Sequence, residues 1–550
     1  MKVALAQTNP VVGDIAGNAE TIGRMIERAA DAGADLAVLP ELSTVGYPPR
    51  DLLRKERFVR DSQAAVRRLA RRCTRTAALV GFVRPAASAT GRALENAAAL
   101  LADGAVRHVY VKSLLPTYDV FDETRYFQPG PGGDCLDLAG RRVGLTICED
   151  LWDAQALGRE LYGRDPLASL TQAGAEVVVN MSASPYQMGK LAVREDLLRR
   201  QAASAAVTLV YVNQVGGNDE LIFDGASCVV APDGQFVARA ASFREDLLVV
   251  DLDAPPAPPG EAEDEIPRLS EAMKLGLRDY VRKCGFRSVV LGLSGGIDSA
   301  VVATLAADAL GGENVLALGL PSRYSSDHSL RDAKALADNL GVAWRVVGIE
   351  PMHAAFEKAL GGLLSGERGE TAAENIQARV RGLIVMAFSN AEGRLALATG
   401  NKSELSTGYC TLYGDMVGAL APIGDLLKTT VYRLGRRLNE EAGFARIPES
   451  TFAKPPSAEL KPGQVDQDKL PPYELLDEIL KRYIESDATA GEIIAAGLPP
   501  GEVNRALRMV DLAEYKRKQA APVLKVTARA FGTGRRMPIA QNYRPLQEDT

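Results

Sequence analysis

Histidine is scarce, with only His108, His328 and His353 in 550 residues, so imidazole-based catalysis is disfavoured and carboxylates, lysines and thiols come first. The six cysteines, Cys73, Cys135, Cys148, Cys228, Cys284 and Cys410, lack paired spacing. That argues against a disulfide framework and against a zinc site, and leaves room for the chemistry of one thiol. No apolar run approaches the roughly 20 residues of a membrane helix. The opening MKVALAQTNP has neither a charged n-region nor an apolar h-region, so no membrane partner and a cytoplasmic setting are expected. Basic blocks are missing too: 64 Lys+Arg stand against 70 Asp+Glu, a net charge of -6, which makes nucleic acid an unlikely partner. No repeat with a period of 20–50 residues is visible, so solenoids and propellers are unsupported.

What is present is ordinary globular material, 46% hydrophobic and 24% charged, in a chain too long for one core. Residues 1–253 alternate short apolar runs such as DLAVLP, RVGLTIC and AEVVVNMSAS with amphipathic helical stretches, the pattern of an α/β domain. Segment 254–267, APPAPPGEAEDEIP, is Pro-rich and then acidic and reads as a linker. Residues 268–550 follow with a βαβ succession, which predicts a second α/β domain on a parallel sheet. Between 453 and 472 the chain is rich in Pro, Lys and Asp without a period, and an irregular, mobile stretch is expected.

The second domain opens on VVLGLSGGIDSA, a run of β-formers leading through Gly292, Leu293, Ser294, Gly295, Gly296, Ile297, Asp298 and Ser299 into a helix. Glycines let backbone approach phosphate oxygens, and the N–H groups and dipole of the helix start favour an anion. Asp298 offers Mg²⁺ a hard oxygen, and the hydroxyls of Ser294 and Ser299 can donate to the phosphates. No Lys follows the second Gly, so the Walker pattern does not apply. The loop resembles that of the N-type ATP pyrophosphatases, which adenylate a carboxylate or carbonyl before a nitrogen or sulfur nucleophile displaces AMP.

Two later segments, ENIQARVRGL and LATGNKSELSTGYCTLYGD, are similar to those of the NAD synthetase family. The resemblance implies a deamido-NAD site at Asn375, Arg379, Arg381, Glu404 and Lys516, ATP contacts at Thr399 and Lys428, and Mg²⁺ held by Asp298 and Glu404. Arginines suit the pyrophosphate of a dinucleotide, which they can grip bidentately. Leu412 stands where ammonia-only members often carry Lys, a departure at that contact.

In the first domain Glu41 follows one apolar strand, Lys112 ends a second and Cys148 ends a third. Residues terminating strands of one sheet can converge on a single edge. A carboxylate base and a fixed ammonium beside one thiol favour thiolate formation and stabilise an amide oxygen as it gains charge. This Glu–Lys–Cys set resembles the nitrilase superfamily, whose amidases cleave C–N bonds through a thioester. The resemblance implies an α-β-β-α sandwich and glutamine contacts at Tyr118, Ser184 and Lys190.

Taken together the two halves resemble the glutamine-dependent NAD synthetase family. The resemblance implies a nitrilase-like glutaminase joined to a doubly wound, adenine nucleotide alpha hydrolase-like synthetase. ATP would activate deamido-NAD as an acyl-adenylate, ammonia from glutamine would complete NAD, and AMP, pyrophosphate and glutamate would leave. It also implies a passage for ammonia and homo-oligomer pairing through the synthetase domain. A stand-alone amidase with a regulatory nucleotide-binding half is the alternative.

Overall fold

The computed structural model describes residues 1–88, 90–255 and 264–543, which form two compact units, Met1–Lys283 and Cys284–Thr550.

In the first unit the strand Lys2–Gln7 is buried on both faces: Val3 and Leu5 join one core, Ala4 and Ala6 another. Alternating side chains on a pleated strand require that division. One six-stranded sheet runs in the order Asp246–Asp251, Lys2–Gln7, Leu36–Val38, Ala77–Pro85, Leu94–Ala102, Ala105–Val111. The other runs Phe236–Arg239, Cys228–Val230, Thr208–Asn213, Val177–Ser182, Arg141–Ile147, Cys135–Leu138. Their inner faces meet through Leu36, Val38 and Leu79 from the first sheet and Leu145, Val179 and Val212 from the second. Helices Ile15–Asp31 and Glu56–Ala70 cover one outer face, and Pro166–Gln172 and Lys190–Ala205 the other. The result is the expected α-β-β-α sandwich. Leu36–Val38 and Ala105–Val111 run in the same direction, so Glu41 and Lys112 emerge at one edge of their sheet.

The helix Glu265–Lys283 also belongs to this unit. Asp279 accepts from Gly217 N (2.8 Å) and Asn9 Nδ2 (2.7 Å), and Lys283 Nζ donates to Asn9 Oδ1 (2.7 Å). The compact units therefore divide at Lys283, whereas the sequence reading opens the second half at 268. Of the expected linker, residues 256–263 lie outside the described residues, and 265–267 are the helix's first turn, where Pro267 forfeits no intrahelical bond.

The second unit is built on four parallel strands in the order Ala343–Val346, Val315–Gly319, Val289–Gly292, Leu395–Ala396. In chain order this is 3-2-1-4, so the topology reverses between Val289–Gly292 and Leu395–Ala396, the place where open α/β sheets bind ligands. The helix Gly366–Glu392 lays Val385 against Val290, Leu316 and Leu318. Ile297–Leu310 is apolar nearly all round and correspondingly buried. The 453–472 stretch is irregular as expected, with one short turn at Asp466–Asp468, but it is pinned: Gln377 Nε2 donates to Leu460 O (2.9 Å) and Lys454 Nζ to Glu459 (2.6 Å). Among the described residues no helix is long and apolar enough to cross a membrane.

Candidate functional site

The strand Arg141–Ile147 ends in Cys148, a buried residue with φ of 45° that starts the one-turn helix Cys148–Leu151. A left-handed backbone at a non-glycine residue is uncommon and is tolerated where surrounding structure holds it. Asp150 does the holding. It accepts from Ile147 N (2.9 Å), Ser113 N (3.0 Å), Leu114 N (2.8 Å) and Tyr110 OH (2.7 Å), tying the cysteine turn to the segment after Lys112. Lys112 Nζ donates to Glu41 Oε1 (2.7 Å) and Glu123 Oε1 (2.8 Å). Glu41 also accepts from Asn96 Nδ2 (2.7 Å) and Ala183 N (3.2 Å), and Tyr47 OH donates to Glu123 (2.8 Å).

Burial disfavours the charged form of Lys112, but Glu123 and Glu41 outweigh it and hold the ammonium well above its ordinary range. Glu123 is pushed up to about 7, by burial first and with Glu41 adding to it against Lys112. Burial pushes the Cys148 thiol up as well, Glu41 adds to this and Lys112 opposes it. Burial thus works against the thiolate that Lys112 favours. Glu41 is then suited to take the proton as sulfur attacks, rather than beforehand.

Of the residues expected to hold glutamine, Tyr118 donates to both oxygens of Glu149 (3.0 and 3.1 Å), which Tyr162 OH also reaches (2.8 Å). Ser184 is buried and its N–H donates to Asn213 Oδ1 (2.8 Å). Lys190 Nζ donates to Pro185 O (3.1 Å) and lies 5.4 Å from the Trp152 ring centre. Sequence reasoning missed Glu123, Asn96, Glu149 and Asp150. Only the last two carried a signal, their adjacency to Cys148 in ICEDLW.

The second unit holds a cavity of about 530 Å³ at its topological switch point, lined by Gly292–Ser294 and Gly296–Ser299, by Thr399, Glu404 and Lys428, and by Asn375, Arg381 and Lys516. Gly295 turns the loop at φ of 82°, and a Cβ there would lie 2.3 Å from Ser329 O, so only glycine fits. Ser294 and Ser299 hydroxyls are 3.1 Å apart, and Gly296 N donates to Ser294 Oγ (3.2 Å). Asn401 caps the helix Lys402–Thr407 and donates to Asp298 Oδ1 (2.8 Å). Lys428 Nζ donates to Asp298 and stands 3.5 Å from Glu404 Oε1. Burial and Asp298 hold Glu404 up to about 8; the same two carboxylates raise Lys428 against its own burial. Burial lowers Arg381 to about 10.

Arg379 is not brought into this cavity. Asn375, Ala378, Arg381 and Val385 follow one face of the helix Gly366–Glu392, while Ile376, Arg379, Leu383 and Met386 follow another and line a separate depression of about 380 Å³ with Phe356 and Tyr413. Its Nε donates to Leu412 O (3.2 Å).

The carbon-nitrogen hydrolase family model matches residues 2–256 and the NAD synthase model residues 269–520. The chain is 48% identical over 554 residues to a glutamine-dependent NAD(+) synthetase of Synechocystis, and 41% identical over 586 residues to one of Thermotoga maritima, each match covering 99% of both chains. Among solved structures it is similar to the glutamine-dependent NAD+ synthetase of Acinetobacter baumannii in complex with ADP: TM-score 0.78, 38% identity, 98% of each chain covered.

Proposed function

The chain belongs to the glutamine-dependent NAD(+) synthetase family, and on that premise we propose how its residues divide the work. It is a ligase that amidates deamido-NAD to NAD with nitrogen from glutamine. The stand-alone amidase reading falls, because relatives of this function match both halves end to end.

In the glutaminase half Cys148 Sγ attacks the glutamine carboxamide carbon while Glu41 takes the thiol proton. Lys112 and the backbone N–H groups after Cys148 stabilise the oxyanion, Glu41 returns the proton to the leaving nitrogen, and ammonia departs. Water, deprotonated by Glu41, then cleaves the thioester to glutamate. Tyr118, Ser184 and Lys190 hold the glutamine. The observation that carries this reading is the Lys112 ammonium bound between Glu41 and Glu123 beside the Cys148 turn.

In the synthetase half ATP lies along Gly292–Ser299 with Thr399 and Lys428, and deamido-NAD against Asn375, Arg381, Glu404 and Lys516. Arg379, which faces the separate depression, is left out of this set. The nicotinate carboxylate attacks the α-phosphorus and pyrophosphate leaves; ammonia then attacks the acyl carbon and AMP leaves. Asp298 and Glu404 would offer a Mg²⁺ ion two hard oxygen ligands on the wall of the phosphate-loop cavity, where Lys428 already bridges them. Bound there, the ion would neutralise phosphate charge. We also propose a cytoplasmic setting.

Cys148→Ala is expected to abolish NAD formation from glutamine, by 10³-fold or more on the scale of other removed nucleophiles (roughly). Formation from ammonium salt should persist, most visibly at alkaline pH. An intact glutamine route, or loss of both routes in a folded protein, refutes the assignment. Pairing through the synthetase half is supported by the exposure of Phe356 (44%), Leu383 (66%) and Tyr413 (64%) on one apolar face. Leu383→Asp should yield monomers by light scattering; an unchanged mass would exclude this face.

A further inference from the structure

The helix Glu265–Lys283 reaches the glutaminase site through one buried carboxylate. Asp224 is 1% exposed and is shared by two guanidinium groups. Its Oδ1 accepts from Arg194 Nη1 (3.0 Å) and Asn213 Nδ2 (3.3 Å); its Oδ2 accepts from Arg194 Nη2 (2.9 Å) and Arg268 Nη2 (3.0 Å). Arg194 lies on the helix Lys190–Ala205, whose first residue is Lys190, and Arg268 lies on Glu265–Lys283. Arg268 is also fastened by Nη1 to Ser242 Oγ (3.1 Å) and lies 5.0 Å from the Phe243 ring centre.

From Asp224 the path continues inward. The Asn213 amide clamps Ser184 from both sides, accepting from Ser184 N (2.8 Å) and donating to Ser184 O (3.2 Å). The preceding residue, Ala183, donates its N–H to Glu41 Oε2 (3.2 Å). A displaced Asp224 therefore moves the amide that sets the Ala183–Ser184 backbone, and with it a hydrogen bond to the carboxylate that takes the thiol proton. Asn213 Nδ2 is shared among Ser184 O, Asp224 Oδ1 and Gly225 O (3.1 Å), three acceptors for two hydrogens, so a displaced Asp224 changes how that amide is divided and where it holds Ser184.

We infer that Arg268 is a positioning residue for the glutaminase reaction, setting Glu41 and Ser184 through Asp224 and Asn213 from the helix that runs on, in sequence, into the strand and phosphate loop of the second half. The inference rests on the roles given above to Glu41 and Ser184. Arg268 touches neither glutamine nor the reacting sulfur in this scheme. Because Arg194 pairs bidentately with Asp224 on its own, loss of Arg268 leaves no uncompensated buried carboxylate, and its effect on rate is separable from folding.

The test uses full-length Arg268→Met and Arg268→Lys. For each, kcat and KM for glutamine are measured by glutamate release and NAD formation, beside NAD formation from ammonium chloride and thermal unfolding. Arg268→Met should lower kcat/KM for glutamine by about ten- to a hundredfold, the range expected when a reacting group is misplaced from a distance. The ammonia route should stay within about twofold of the parent, and Arg268→Lys should recover part of the loss by restoring a charge to Asp224. A glutamine kcat/KM unchanged in Arg268→Met overturns the inference. So does a parallel fall of both routes with a lowered melting temperature, the mark of a purely structural arginine. Cys148→Ala, run alongside, separates the two claims: if it leaves glutamine use intact, the site reading fails whatever Arg268 does.

Discussion

Lys112 and Lys428 are both buried ammonium groups that bridge two carboxylates, one in each half, yet the sites around them are built for different work. Around Lys112 the partners are closed in: Asn96 shares Glu41 Oε1 with the lysine, Ala183 N donates to Glu41 Oε2, Tyr47 shares Glu123 Oε1 with the lysine, and Asp150 clamps the cysteine turn. These pairings of Lys112, Glu41 and Glu123 can persist when a small amide enters, which is how preorganised dipoles lower a barrier. Lys428 instead stands on the wall of a 530 Å³ cavity, and its partners Asp298 and Glu404 are the oxygens we assign to the metal and phosphates. Those pairings must be exchanged for ligand contacts. In each site one carboxylate is pushed up, Glu123 to about 7 and Glu404 to about 8, by burial first and by the neighbouring carboxylate, against the pull of the shared lysine. The contrast teaches that similar ion triads serve a rigid nucleophile in one case and an exchangeable anion site in the other.

Asp298→Asn should break the comparison most visibly after Cys148→Ala. It is expected to lower NAD formation by about 10²-fold from either nitrogen source, the cost typical of a lost electrostatic contact in a reacting site, while glutamate release continues. Equal activity of variant and parent on ammonia would remove Asp298 from carboxylate activation.

Gly295→Ala sharpens the contrast further, since the new Cβ would meet Ser329 O at 2.3 Å in a φ 82° backbone. Strain of about 1–3 kcal/mol is expected. ATP should raise the melting temperature of the variant less than that of the parent, whereas labelling of Cys148 by a glutamine-mimicking electrophile should be unaffected. Full protection by ATP would show that the loop tolerates a side chain.

The smallest effect concerns Glu123. Its folded-state value of about 7 lies above the ordinary 4.5, so the fold binds this proton more tightly than the unfolded chain does. The resulting stabilisation is complete below about pH 4.5 and is lost as pH rises through 7. Glu123→Gln should remove that slope, sparing the variant the loss of stability that the parent undergoes as pH rises from 5 to 7. Urea midpoints at the two pH values check this, and identical slopes would mean that Lys112 keeps Glu123 ionised throughout.

Contiguous chemistry was legible in the sequence alone: the Gly-rich turn from Gly292 to Ser299, the α/β alternation, and Glu41, Lys112 and Cys148 each just past an apolar run. These signals reside in neighbouring residues, where strand and helix periods and glycine turns operate. Tertiary structure alone decided who partners whom. Glu41 meets Asn96 across 55 residues and Lys112 across 71, strand pairing sets Asn96 opposite Lys112, and Glu123 reaches Lys112 from the one-turn helix Glu123–Arg125. The same holds for the thiol of Cys148, raised because burial outweighs Lys112, and for Arg379, turned from the cavity by helix phase. It holds equally for the helix Glu265–Lys283, which follows the Pro-rich segment in sequence but docks on the first unit through Arg268 and Asp279. Burial and long-range pairing depend on how sheets stack, and no local pattern in a single chain encodes that.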